Sequence, residues 1–141
     1  MGLRELLKRY KEVTRPILRD IKGNVLKESA WYLEYSDDKI GFPCYFTGEF
    51  EKSSFLTGDS GYAIVEGINS CGSYFKSLFP SRCTEQLVPI ENPKEYLESL
   101  KQEIDRRSKL PIKQLSKANL PTLKRAEEWM KDKLERLAQA A

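Results

Sequence analysis

A chain of 141 residues with a net charge of +3, 40% hydrophobic residues and 15 aromatics has the size of one domain and enough apolar content to fold rather than stay disordered. Apolar runs fall short of the ~18 residues of a membrane helix, and the charged stretch Met1 to Arg9 lacks the apolar core of a secretory signal, so an intracellular, cytoplasmic protein without a membrane span is expected. Histidine is absent, and the three cysteines, Cys44, Cys71 and Cys83, form no CxxC pair; neither a zinc site nor a cofactor is implied, and reduced thiols are expected, with a Cys71–Cys83 disulfide as the alternative.

In chain order, the apolar positions Leu3, Leu6, Leu7, Tyr10, Val13, Ile17, Ile21 and Val25 predict an amphipathic helix over residues 3–26, kinked or split at Pro16 and stopped at Gly23-Asn24. The period then changes to two. Trp31, Leu33 and Tyr35, followed by Ile40, Phe42, Cys44 and Phe46, alternate across Ser36-Asp37-Asp38-Lys39, which predicts a hairpin with a four-residue type I loop. Pro43 cannot donate to a ladder, so the second strand is expected at an edge or at a bulge. A third strand is expected at Tyr62–Glu66 and a short fourth at Gln86–Ile90.

Between those two strands, Tyr74, Phe75, Leu78 and Phe79 have the spacing of a short helix with a core-facing edge, preceded by the loop Gly67 to Gly72. Strand, Gly-containing loop and helix in that order could bind an anion at the helix N-terminus, but Ser73 and Tyr74 stand where a nucleotide-binding loop needs Lys and then Ser or Thr. Asn92-Pro93-Lys94-Glu95 combines an N-cap, Pro at the first helical position and Glu at the third, so a helix is expected to run from there to about Ser108 with Tyr96, Leu97, Leu100 and Ile104 inward. Asn119-Leu120-Pro121 opens a last helix whose Leu123, Ala126, Met130, Leu134 and Leu137 form a seam. Packing of that seam on the preceding helix as an antiparallel hairpin is expected over self-association as a coiled coil.

Two motifs suggest a nucleophilic serine. Gly58-Asp59-Ser60-Gly61 matches the tetrapeptide around the nucleophile of trypsin-like serine proteases, and Ser73-x-x-Lys76 matches the SxxK of penicillin-binding proteins. The first lacks a histidine to take the proton from Ser60, and the second lacks its companion SDN and KTG elements. Both read as chance, with Gly58 to Gly61 a turn leading into the third strand. No catalytic residues are assigned.

Charge is partitioned along the chain. Residues 28–66 carry eight acidic and two basic groups, whereas residues 106–125 carry seven basic groups and no acidic one: Arg106, Arg107, Lys109, Lys113, Lys117, Lys124 and Arg125. This basic connection is the candidate binding surface. It would meet the acidic 28–66 region within the protein or its assembly, an acidic protein partner, or the phosphates of a nucleic acid, although it has no aromatics for stacking on bases. The expectation is a single α+β domain: an N-terminal helix, a small antiparallel sheet of three or four strands and a C-terminal helical hairpin. The expected function is non-catalytic protein binding or assembly, with self-association included, and nucleic-acid binding through residues 106–125 as the alternative.

Overall fold

The computed structural model describes residues 2–5, 17–36, 39–51, 61–111 and 119–140. Strands β1 (Ala30–Ser36) and β2 (Lys39–Glu51) form the expected hairpin, paired antiparallel from Ala30↔Phe46 to Ser36↔Lys39. That register leaves residues 37–38 as the connection, so Ser36 and Lys39 belong to the strands and not to a four-residue loop. β2 then pairs with β3 (Tyr62–Ile68), and β3 with β4 (Tyr74–Phe79). A single helical turn, α1 (Ser81–Thr84), leads to β5 (Leu87–Ile90), which returns to the free side of β1. The sheet thus has five antiparallel strands in the order β4-β3-β2-β1-β5, one or two more than expected within the same α+β class.

Pro43 sits in a central strand, not at an edge. The ladder accommodates it through a bulge: between Leu33↔Pro43 and Tyr35↔Ile40, β2 spends one residue more than β1. A second slip between Phe46 and Phe50 centres on Gly48, whose φ of +100° a residue with a Cβ rarely adopts.

Two stretches expected to be helical from periodicity, residues 17–26 and 74–79, are not helical. Residues 3–5 are helical and residues 6–16 lie outside the described residues, but from Ile17 to Ser29 the chain is extended and turned, with a bridge between Arg19 and Val25. Local polar bonding wins there. Asp20 Oδ1 accepts from the backbone of Lys22 at 2.8 Å and of Asn24 at 3.2 Å, and Gly23 takes φ +81°. Ile17, Ile21 and Val25 of the predicted stripe consequently face water, 65%, 44% and 49% exposed, while the off-stripe Leu18 and Leu26 are buried.

The second correction is the aromatic segment: Tyr74 to Phe79 is strand β4. Asn69 Oδ1 accepts from the backbone of Cys71 and Ser73, both at 3.0 Å, and Gly72 at φ +81° closes a turn that lays the segment back on β3. Aromatic residues suit a pleated, half-buried surface as well as a helix. The option of an anion at that helix N-terminus falls with the helix, since strand β4 follows the loop. Ser73 and Lys76, three residues apart in extended chain, also lie on opposite faces of the pleat.

Alternation divides the sheet into two packed faces. Tyr32, Cys44, Phe46, Ala63, Val65, Phe79 and Leu87 form one core with Leu18 and Leu26 of the N-terminal segment. Trp31 and Tyr45 belong to the opposite face, beneath the C-terminal helices. The short connection from β4 to β5 requires the sheet to curl around the first core. On a flat sheet, Phe79 and Leu87 would be separated by four strand spacings of ~4.8 Å and a rise of about six residues at ~3.3 Å, or roughly 27 Å. Eight Cα steps reach that far only when fully extended, at ~3.3–3.6 Å each. The helical turn at Ser81–Thr84 shortens the strap, and Phe79, Leu87 and Cys83 meet in one cluster.

Helix α2 (Pro93–Ser108) begins and ends where the sequence places it, with Asn92 Oδ1 accepting from the Glu95 backbone at 3.1 Å. Helix α3 (Leu120–Ala140) packs antiparallel to it: Leu120 and Leu123 meet Leu100 and Ile104, while Met130 joins Leu97. Met130 is fully buried between α2 and the Trp31–Tyr45 pair. Met130→Ala should cost about 2–5 kcal/mol of unfolding free energy through the cavity it leaves, and urea titration followed by tryptophan fluorescence will measure it.

Candidate functional site

The basic residues of the helical connection are distributed over two places. Arg106, Arg107 and Lys109 end α2, where cations also favour the helix dipole. Glu103 accepts from Arg106 Nε at 3.1 Å and Nη2 at 2.6 Å and from Arg107 Nε at 2.8 Å, and Asp105 pairs with Lys109 at 3.1 Å. These hydrogen bonds, first from Arg106 and then from Arg107, hold the Glu103 carboxyl down at about 2. Arg125, in the second turn of α3, donates to the Gly72 carbonyl at 3.0 Å and so ties α3 to the β3–β4 turn. Lys124 is exposed beside it. Lys113 and Lys117 lie outside the described residues, as does Ser60.

Among the described residues, Arg106, Arg107 and Lys109 pair with carboxylates of the turn before them. The signal was present in the sequence as Glu103 three and four residues ahead of the arginines and Asp105 four ahead of Lys109. A contact between the acidic region and the helical end does exist, but through another pair. Lys133 of α3 forms an ion pair with Glu66 of β3, whose side chain is 9% exposed. The Tyr74 hydroxyl donates to Glu66 Oε2 at 2.8 Å, and Lys133 Nζ stands 4.8 Å from the centre of the Tyr45 ring.

This cluster joins four elements, β2, β3, β4 and α3, at one side of the sheet. Glu66 pairs across to Tyr45 on β2 and Lys76 on β4, so its carboxylate shares the helix-covered face with both. Burial alone would push its pKa up; the hydrogen bonds from Lys133 and Tyr74 and the charges of Lys133 and Lys76 outweigh it and hold the carboxyl below its usual value. Tyr74 moves upward in response, through burial and its bond to Glu66. The carboxylate is thereby committed as an acceptor and is no proton donor at neutral pH. Composition and periodicity did not single out Glu66, because nothing in the sequence states which strand residues face Lys133.

Next to the cluster, β4 is the outermost strand, and no described strand pairs with its outer side. Tyr74 is 55% and Leu78 44% exposed on it, with Lys76 between them also exposed. Two clefts lie elsewhere. One of about 370 Å³ runs between β1, β5 and the N-terminal segment past Trp31 and Pro89, and Lys22 and Glu91 stand 4.0 Å apart among its lining residues. Another of about 290 Å³ lies between Phe42, Tyr96 and Leu123, where Glu103 and Arg107 are already paired with each other. Cys44, Cys71 and Cys83 are free thiols, buried, exposed and half-buried respectively, so no Cys71–Cys83 disulfide is formed. Burial pushes the Cys44 thiol well above its ordinary range. Among the described residues, no group of three or more Cys, Asp or Glu is placed to hold a metal ion, and no helix is long and apolar enough to cross a membrane.

Comparison with known proteins finds no matching family model, no similar curated protein and no similar solved structure.

Breaking the buried pair leaves Glu66 without its main counter-charge. Lys133→Met should destabilise the protein by about 3 kcal/mol at neutral pH, the low end for a buried pair because Tyr74 remains. The depressed folded-state pKa means that the pair stabilises fully above the ordinary glutamate value of 4.5 and loses this contribution as pH falls through the folded value. The difference between wild type and variant should therefore shrink in acid, as measured by urea unfolding from pH 7 to pH 3.

Proposed function

We propose that this chain is a non-catalytic protein-binding or assembly module, and that its contact surface is the outer edge of β4. The observation that carries the reading is the combination of a strand edge that no described strand pairs with and exposed Tyr74 and Leu78. An open edge offers a row of main-chain donors and acceptors, and strand addition is a recurrent mode of protein recognition. Lys76 in the middle of the strand limits indiscriminate pairing by placing a charge on it. The Glu66–Lys133–Tyr74 bonds beneath hold the edge rigidly against α3, so a partner would find it already ordered.

Nucleic-acid binding through residues 106–125 ranks second. The engagement of Arg106, Arg107 and Lys109 by Glu103 and Asp105 reduces the charge that phosphates would meet, while Lys124 remains exposed. Light scattering on the purified protein, with and without a mixed nucleic-acid pool at low and high salt, separates the two. The expected result is a mass that depends on protein concentration and is indifferent to nucleic acid. A monomer that shifts onto nucleic acid at low salt, and whose log–log salt slope falls in an Arg106→Gln, Arg107→Gln, Lys113→Gln variant, would overturn the order.

A further inference from the structure

Resting on the protein-binding reading above, we infer that the occupant of the β4 edge is β4 of a second copy of this chain, paired antiparallel about a twofold axis at Ser77. The register follows from hydrogen-bond parity, strand length and charge.

Parity comes from the β3–β4 turn. The Asn69 N–H donates to the Ser73 carbonyl at 2.9 Å, which makes Asn69 and Ser73 a hydrogen-bonded position of the antiparallel ladder. The register runs without a slip from Ile68↔Tyr74 to Ala63↔Phe79. Hydrogen-bonded positions recur every second residue, so Phe75, Ser77 and Phe79 turn their main-chain groups toward β3. Tyr74, Lys76 and Leu78 turn theirs outward.

Two antiparallel copies of a strand are related by a twofold axis normal to the sheet. The outward groups must meet one another, which restricts the axis near the strand's middle to Lys76 or Ser77. An axis at Lys76 would set that ammonium directly opposite its own copy, a destabilising pair. An axis at Ser77 sets Lys76 opposite Leu78 of the second copy, with a reciprocal pair of main-chain hydrogen bonds on each side of the axis. Phe75 then lies opposite Phe79 of the second copy on the other face, extending the Phe75–Phe79 stack, whose ring centroids are 6.2 Å apart within one chain. Pro80, which has no N–H, falls opposite Tyr74 at the end of the paired stretch, where the ladder stops without a missing donor in its interior. Lys76 also keeps Glu66 as its cross-strand neighbour within its own chain, and across the axis the two Lys76 side chains stand diagonally, not directly opposite.

The axis at Ser77 is directly testable. At a non-hydrogen-bonded position the two Cα atoms are ~4.5 Å apart, within the range that a disulfide spans. On a Cys71→Ser, Cys83→Ser background, Ser77→Cys should form an intermolecular disulfide under mild oxidation several-fold faster than Ser99→Cys, an exposed control on α2. In parallel, Leu78→Lys should oppose Lys76 of the other copy and convert the protein to a monomer by light scattering. Its circular dichroism should stay unchanged, because Leu78 is an exposed side chain, while its melting temperature should no longer rise with protein concentration. A wild-type mass of twice the chain, lost in Leu78→Lys, together with preferential Ser77→Cys crosslinking, is the expected result. A dimer that persists in Leu78→Lys and fails to crosslink at Ser77→Cys would overturn this inference while leaving assembly intact. A wild type that stays monomeric at every concentration rules out the second copy as occupant, and binding of another protein lost in Leu78→Lys would then preserve the edge as a contact for a different strand.

Discussion

Trp31 and Tyr45 hold the two halves of this molecule together. They are direct partners across β1 and β2, with ring centroids 5.0 Å apart, and Trp129 of α3 meets Trp31 edge-on at 5.3 Å. Their neighbours in sequence, Tyr32, Cys44 and Phe46, point through the sheet into the opposite core. Strict alternation in one hairpin therefore feeds both hydrophobic layers, and a slip by one residue would exchange their contents. The bulge near Pro43 and the slip at Gly48 bend β2 without losing that alternation where it matters, from Cys44 to Phe46.

Electrostatics follow the same geometry. The chain's charge blocks look like separate surfaces in one dimension, but the fold pairs charges locally where a helix permits it and across elements where burial demands it. Glu103 and Asp105 take up the cations at the end of α2 at little cost, since all are near water. Glu66 is in a different position. Its burial would be costly without Lys133, and Lys133 in turn lies against Tyr45, so the ion pair is an extension of the aromatic core and not a surface ornament.

Elements with strong local chemistry were legible in the sequence: the alternating hairpin, the Asn92 cap, the antiparallel helices and the short strand at Leu87–Ile90. The errors share one cause. Ile17, Ile21 and Val25, and later Tyr74, Phe75, Leu78 and Phe79, have helical spacing, yet short apolar patterns fit a helix and a strand almost equally well. Asp20 and Asn69 decided the outcome by bonding nearby backbone amides, an effect that apolar spacing does not register. The outer edge of β4 was hidden by the same misreading, and Glu66 by the absence of any local pattern that reports a partner 67 positions away.

The strap from β4 to β5 has a bearing on how the chain reaches this structure. Strands β1 to β4 form a meander in which each finds its neighbour in turn, but β5 must return to β1, bringing Val88 beside Leu33. Closing that loop sacrifices chain entropy before any ladder bond compensates, and such non-local pairings form late. Until α1 has turned and Thr84 is buried, the far side of β1 stays open along Trp31 to Glu34. In the folded chain β5 covers β1 from Trp31 to Glu34, and its Leu87 carbonyl accepts from the Ile21 backbone at 3.0 Å, so the N-terminal segment in turn shields part of its outer side.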